Sequence, residues 1–134
     1  MAKLDHIAIV VKDLERSVDL FRDAFGMELD RIEDLPDRGV RVAFMTLHET
    51  RIELLQPQGE DSEVASWVAR HGQGLHHLAI SVDDVDDALD RARSAGAEPI
   101  EKGAGPGAGG ARVAFLHPRT TSGVLVEFVE HGGH

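Results

Sequence analysis

The chain opens on a strand-like run, HIAIVV at 6–11, and a second run of the same character, HLAISV, stands at 77–82. Both are short and rich in β-branched residues, the composition that predicts a strand. A stretch with helical spacing follows each. In DLERSVDLFRDAFG (13–26) the apolar positions are Leu14, Val18, Phe21 and Phe25, with Asp13 placed to cap the helix and Gly26 to end it. DVDDALDRARSAG (84–96) repeats the design with Val85, Leu89 and Ala92, closed by Gly96. Further strands are predicted at 27–33, 40–47 and 50–56, then at 97–101, 111–117 and 123–130. DSEVASWVARHG (61–72), apolar at Val64, Trp67 and Val68, predicts a connecting helix. GAGPGAGGA (103–111) is too rich in Gly and Pro for regular structure and reads as a flexible loop over a site or as a long hairpin connection.

These elements fall into two copies. LDHIAIVVKDLE (4–15) aligns with LHHLAISVDDVD (75–86) at an offset of 71, which sets His6 on His77 and Asp13 on Asp84. RVAF recurs at the same offset, at 41–44 and 112–115. RIELLQ (51–56) matches LVEFVE (125–130) with Glu53 on Glu127, an offset of 74 whose extra residues fall in the HPRTTSG loop. Each copy reads strand, helix, three strands. A unit of about 65–70 residues is marginal alone, so the copies are expected to pack as one domain over 1–134. Module one covers about 1–58, the linking helix about 61–72, and module two about 73–134.

Strand alternation then sorts the faces. His6, Ala8 and Val10 share one side and Ile7, Ile9 and Val11 the other; His77, Ala79 and Ser81 lie opposite Leu78, Ile80 and Val82. The large aliphatics are expected against the helices, leaving each histidine on a side furnished with small residues. Glu53 and Glu127 stand inside largely apolar strands, where a carboxylate is costly to bury unless paired or bound to a metal. A lone histidine or glutamate in such a place is usually structural or solvated. Two of each, matched by an independent repeat, form a candidate four-ligand set facing inward.

Composition narrows the chemistry. There are 14 Lys+Arg against 24 Asp+Glu, a net charge of −10 that argues against nucleic acid and against an anionic membrane surface. The chain has no cysteine, which excludes disulfides, thiol nucleophiles, thiolate metal sites and iron–sulfur clusters. It has no tyrosine, which excludes phenol acids and bases. Eight histidines and a surplus of carboxylates remain, ligands for Mn²⁺, Co²⁺, Fe²⁺, Ni²⁺ or Zn²⁺. Asp5, His6 and Lys12 break the first apolar run, so no signal peptide or membrane span is predicted and the cytoplasm is the expected location.

The other histidines carry less. His76 points away from His77 and reads as structural or as a support to the site; His71 and His48 are expected in solvent. His131 and His134 belong to a Gly-rich tail expected to fray. His117 opens the HPRTTSG loop near the duplicated strand ends and is a candidate substrate contact.

Duplicated strand–helix–three-strand units with His on the first strand and Glu on the last resemble the vicinal-oxygen-chelate superfamily. That group includes glyoxalase I, extradiol dioxygenases, antibiotic-resistance proteins and the methylmalonyl-CoA epimerases. The likeness to the epimerases spans nearly the whole chain. It is carried by GVRVAF (39–44), IELLQP (52–57), DSEVASWVARHGQGLHHLAISVDDVDDAL (61–89) and GPGAGGARVAFLHPRTTSGVLVEFVE (105–130). The resemblance implies an α+β fold, with tandem βαβββ modules forming a curved, mostly antiparallel sheet around a metal cleft. It implies one divalent ion held by His6, Glu53, His77 and Glu127, the set that the repeat also selects. It implies an acyl-CoA substrate, a homodimer, and inversion of an α-carbon through an enolate.

Glu127 is then the expected proton-transfer residue. Some family members carry a second catalytic glutamate where this chain has Val42, which leaves Glu53 or a metal-bound water as the counterpart. Arg119, Thr120 and His117 are expected to contact substrate, with Lys102, Arg41 and Arg112 as further cations to offset its charge. A glyoxalase I-type lactoylglutathione lyase and a non-catalytic antibiotic-binding protein are the alternatives on the same fold. An extradiol dioxygenase fits less well, because its proton donor is often a tyrosine.

Overall fold

The computed structural model describes residues 2–132; His134 lies outside them. The elements run β1 (Lys3–Val10), α1 (Leu14–Phe25), β2 (Glu28–Leu35), β3 (Val40–Leu47), β4 (Thr50–Pro57), α2 (Glu63–His71), β5 (Gly74–Ser81), α3 (Val85–Ser94), β6 (Gly105–Pro106), β7 (Arg112–Leu116) and β8 (Val126–Glu130). The strands hydrogen-bond in the order β2-β3-β4-β1-β5-β8-β7-β6, a mixed sheet. β1–β4 and β5–β8 are parallel, whereas β2–β3, β3–β4, β6–β7 and β7–β8 are antiparallel. Among the described residues no helix is long and apolar enough to cross a membrane.

The chain divides into two compact units. One is His6–His76; the other runs from His77 onward and takes in the described residues up to Asp5. In the first unit α1 begins at Asp13, whose side chain accepts from the Arg16 N–H, and ends at Gly26 in the left-handed conformation that glycine adopts without strain. Its buried face, Leu14 and Val18, packs on Val11, Met27, Ala43, Met45, Ile52 and Leu54. In the second unit Asp84 caps α3 by accepting from Asp86 N and Asp87 N, and Val85 and Leu89 pack on Ala114 and Leu116.

Three expectations need correction. The histidine side of β1 is not left to small residues alone. Ala8 and Val10 join Val40, Val42 and Leu55 in a cluster against which Val64, Trp67 and Val68 of α2 pack, so the connecting helix covers one end of that face. The strand at 97–101 does not form. Pro99 makes one isolated bridge to Leu116, and the edge strand is the two residues Gly105–Pro106, since proline lacks a ladder donor and glycine has nothing to pack. His131 is not frayed: its Nε2 lies 2.5 Å from Oδ1 of Asp5.

Candidate metal centre

Each unit builds the same row of residues. In the first, Ala8 of β1 sits beside Glu53 of β4, and Phe44 of β3 lies opposite Glu53. In the second, Ala79 of β5 sits beside Glu127 of β8, and Phe115 of β7 lies opposite Glu127. His6 and His77 stand two residues before those alanines, on the same face as the glutamates.

The carboxylates therefore reach the imidazoles. His6 Nδ1 is 3.3 Å from Glu53 Oε2, and His77 Nε2 is 3.2 Å from Glu127 Oε1. His6, His77 and Glu127 are buried, and each offers one ligand atom. The Glu127 side chain is 9% exposed and that of Glu53 22%, so the second pair is the drier.

These separations fit a metal. Nitrogen and oxygen ligands bound at about 2.0–2.2 Å stand about 3.0–3.5 Å apart between octahedral and tetrahedral angles. Each pair has the spacing of two ligands of one ion, and sulfur-free imidazole and carboxylate donors suit a first-row divalent cation.

The phenylalanines form the walls. The Phe115 ring meets His77 edge-on, with centroids 5.4 Å apart and planes at 86°. In the first unit the Arg31 guanidinium lies 4.0 Å above the Phe44 ring, with Nε on Glu33 at 3.1 Å and Nη1 on Asp30 at 2.7 Å. Glu33 foremost, with Asp30, holds Arg31 further in its charged form. Sequence reasoning passed over Arg31 and both phenylalanines, although the repeated RVAF already carried Phe44 and Phe115 at equal offset.

The loop residues are placed differently from one another. His117 and Thr120 bracket the short turn Pro118–Thr120, where the Thr120 hydroxyl donates to His117 O at 2.8 Å and accepts from Glu98 N at 3.1 Å. Arg119 projects into solvent from that turn. Arg41 is engaged by Glu15 and Asp34, both at 2.9 Å, and Arg112 by Asp86 at 3.2 Å, so these two cations brace helix starts. Glu15, then Asp34, hold the Arg41 guanidinium further in its charged form. His76 meets Trp67 edge-on at 5.0 Å, a packing role, while His71 and His48 are exposed. Val42 is buried under α2 within the apolar cluster and offers no acid or base.

Residues 5–115 match the family model of the Glyoxalase/Bleomycin resistance protein/Dioxygenase superfamily. The ethylmalonyl-CoA/methylmalonyl-CoA epimerase of Cereibacter sphaeroides is 42% identical over 95% of this chain and 96% of its own. Among solved structures, the methylmalonyl-CoA epimerase of Mycobacterium tuberculosis superimposes with a TM-score of 0.86 at 34% identity, over 97% of this chain and 88% of that one. A variant of the Streptomyces coelicolor methylmalonyl-CoA epimerase, in complex with 2-nitronate-propionyl-CoA, gives 0.87 at 34% identity over 98% and 95%. The chain belongs to this superfamily and, within it, to the methylmalonyl-CoA epimerase family.

Proposed function

We propose that the chain interconverts the stereoisomers of methylmalonyl-CoA, using one divalent ion held by His6, Glu53, His77 and Glu127. The observation that carries this reading is the repeated pair: an imidazole and a carboxylate at 3.2–3.3 Å, in the same row of each unit. A bound divalent ion would supply a Lewis acid for the negative charge that develops on the thioester oxygen. The donor set suits Co²⁺, Mn²⁺, Ni²⁺, Zn²⁺ or Fe²⁺ alike.

The chain's own residues do the rest. The α-carbon between a thioester and a carboxylate carries a weakly acidic proton, and inversion removes it from one face and returns one to the other. Glu127, buried beside His77, takes the proton on one side, and Glu53 beside His6 returns one on the other. Phe115 and Phe44 keep water from the carbanion, which would otherwise be quenched without stereochemical control. Arg119 meets the anionic substrate by charge, and His117 and Thr120 meet it from the turn that their own hydrogen bond holds. The two modules act as one domain, and the working form is a cytoplasmic homodimer.

The test is exchange of the α-proton. Protein loaded with Co²⁺ or Mn²⁺ and incubated with methylmalonyl-CoA in D₂O incorporates deuterium at the α-carbon as the stereoisomers equilibrate; no incorporation overturns the reading. The Haemophilus influenzae lactoylglutathione lyase matches at 31% identity over 94% of this chain. Conversion of the glutathione–methylglyoxal hemithioacetal, without exchange on the acyl-CoA, would assign that activity instead.

A further inference from the structure

Asp5 carries a buried carboxylate that the proposed reaction does not use. Its side chain is 8% exposed, and it stands on β1 immediately before His6. A carboxylate at that depth is costly unless it is paired. His131 supplies a partner from the segment after β8. Its Nε2 donates to Asp5 Oδ1 at 2.5 Å, while half of its side chain stays in solvent.

The segment that brings His131 there is seated residue by residue. Glu130, the last residue of β8, accepts the Val85 N–H at 2.8 Å, and Arg112 Nη1 lies 3.6 Å from the same oxygen. His131 follows, on Asp5. At Gly132 an added Cβ would stand 2.8 Å from the Gly110 carbonyl oxygen, so the backbone runs too close to that turn for a side chain. The turn is closed by Gly107 N–H donating to Ala111 O at 2.8 Å. The strand that sets Glu127 therefore continues into a clamp on the residue before His6.

We infer that His131 is a positioning residue for the metal centre: by holding Asp5 it holds the peptide from which His6 presents its imidazole to the ion. The inference rests on the reading of His6 as a ligand and adds what orients it. Neighbours on a strand point to opposite faces, so a side chain anchored behind β1 fixes the Cα–Cβ direction of the residue in front. The duplicated frame repeats the device with different chemistry. His76 precedes His77 as Asp5 precedes His6, and the Trp67 ring holds it edge-on at 5.0 Å. Each histidine of the pairs thus follows a residue pinned by an aromatic side chain, an indole in one copy and an imidazole in the other. A ligand already oriented binds its ion with less ordering, and partners that orient ligands are typically worth about 10- to 100-fold in metal affinity.

Calorimetric titration of the metal-free protein with Co²⁺ tests this without turnover. His131→Ala is expected to weaken Co²⁺ about tenfold at unchanged stoichiometry. His131→Gln, whose amide can still donate to Asp5, recovers most of the loss. Gly132→Ala pushes the segment off Gly110 while keeping the imidazole, and weakens Co²⁺ in the same direction. His48→Ala removes an exposed imidazole elsewhere and leaves the affinity within about twofold. At saturating Co²⁺, His131→Ala lowers kcat severalfold and leaves KM for methylmalonyl-CoA within about twofold. A clamp that served stability alone would lower Tm in His131→Ala and Gly132→Ala and leave Co²⁺ affinity and kcat as in the wild type; that result overturns the inference while the metal reading stands. Loss of a separate bound equivalent in His131→Ala, with the remaining affinity unchanged, also overturns it, because His131 would then be a ligand itself. If the wild type binds no Co²⁺, or His77→Ala binds it equally well, the His–Glu centre fails and this inference with it. Should His131→Ala not fold, Gly132→Ala decides.

Discussion

The side-chain oxygen of Gln56 accepts the backbone N–H of Leu14 at 2.7 Å, and Glu130 accepts that of Val85 at 2.8 Å. Gln56 and Glu130 each lie three residues beyond the site glutamate of their strand. The strand that positions the carboxylate thus also satisfies an orphan donor in the first turn of the helix packed behind it. Helix and glutamate are fixed by one strand, in both units.

Gln56→Ala should therefore cost about 1–2 kcal/mol, the penalty of leaving a part-buried donor without its acceptor. Gln56→Glu keeps an acceptor, as Glu130 does in the second unit, and should cost less than Gln56→Ala, staying within about 1 kcal/mol of the parent. Urea denaturation followed by circular dichroism reads both. A Gln56→Ala midpoint equal to the parent's would remove the latch from the account of stability.

Gly39 and Gly26 separate conformation from crowding. Both have left-handed φ, +66° and +74°. A Cβ on Gly39 would stand 2.5 Å from the Cβ of Ser62, the cap of α2, while one on Gly26 meets nothing within 4 Å. Gly26→Ala should cost about 1 kcal/mol from the backbone alone, and Gly39→Ala more, because α2 must shift off the cluster it covers. Thermal unfolding of the pair checks the order, and equal losses would contradict it.

Glu127→Gln and Glu53→Gln should differ in kind. The amide cannot accept the α-proton, so Glu127→Gln is expected to lose deuterium incorporation by a factor of about 10² or more. Glu53→Gln keeps a neutral oxygen donor, so Co²⁺ binding should weaken but persist, and because its amide returns no proton, deuterium exchange should outlast inversion of the α-carbon. Cobalt absorbance titrations beside isotope exchange separate the two effects. Unchanged exchange in Glu127→Gln would move the base elsewhere.

Metal removal should lower stability by mass action. An ion present at 100 times its dissociation constant stabilises the folded chain by about 2.7 kcal/mol. Chelation should therefore lower Tm, and Co²⁺ or Mn²⁺ should restore it. His77→Ala should show neither response. A Tm indifferent to chelator and to added metal would argue against a bound ion.

Much of this was legible along the chain. The common offset of 71 already set His6 on His77 and Asp13 on Asp84, and both aspartates cap their helices. What the pattern missed lies where a residue's role depends on a neighbouring strand. Arg41 and Arg112 are expected from the sequence to offset a substrate's charge, but Glu15 and Asp86 engage them. Arg31 carried no signal, because only the one-residue bulge at Asp30 turns it onto Phe44.

Residue type and spacing alone determined the donor chemistry, two imidazoles and two carboxylates at duplicated positions, because period-two strands assign each side chain to a face. Tertiary structure decided how each pair closes and which edge is open. The second unit's edge is rich in glycine and proline, with little side chain to set its register, whereas β2 carries Arg31 onto Phe44. One edge closed on an arginine and the other stayed open over Phe115.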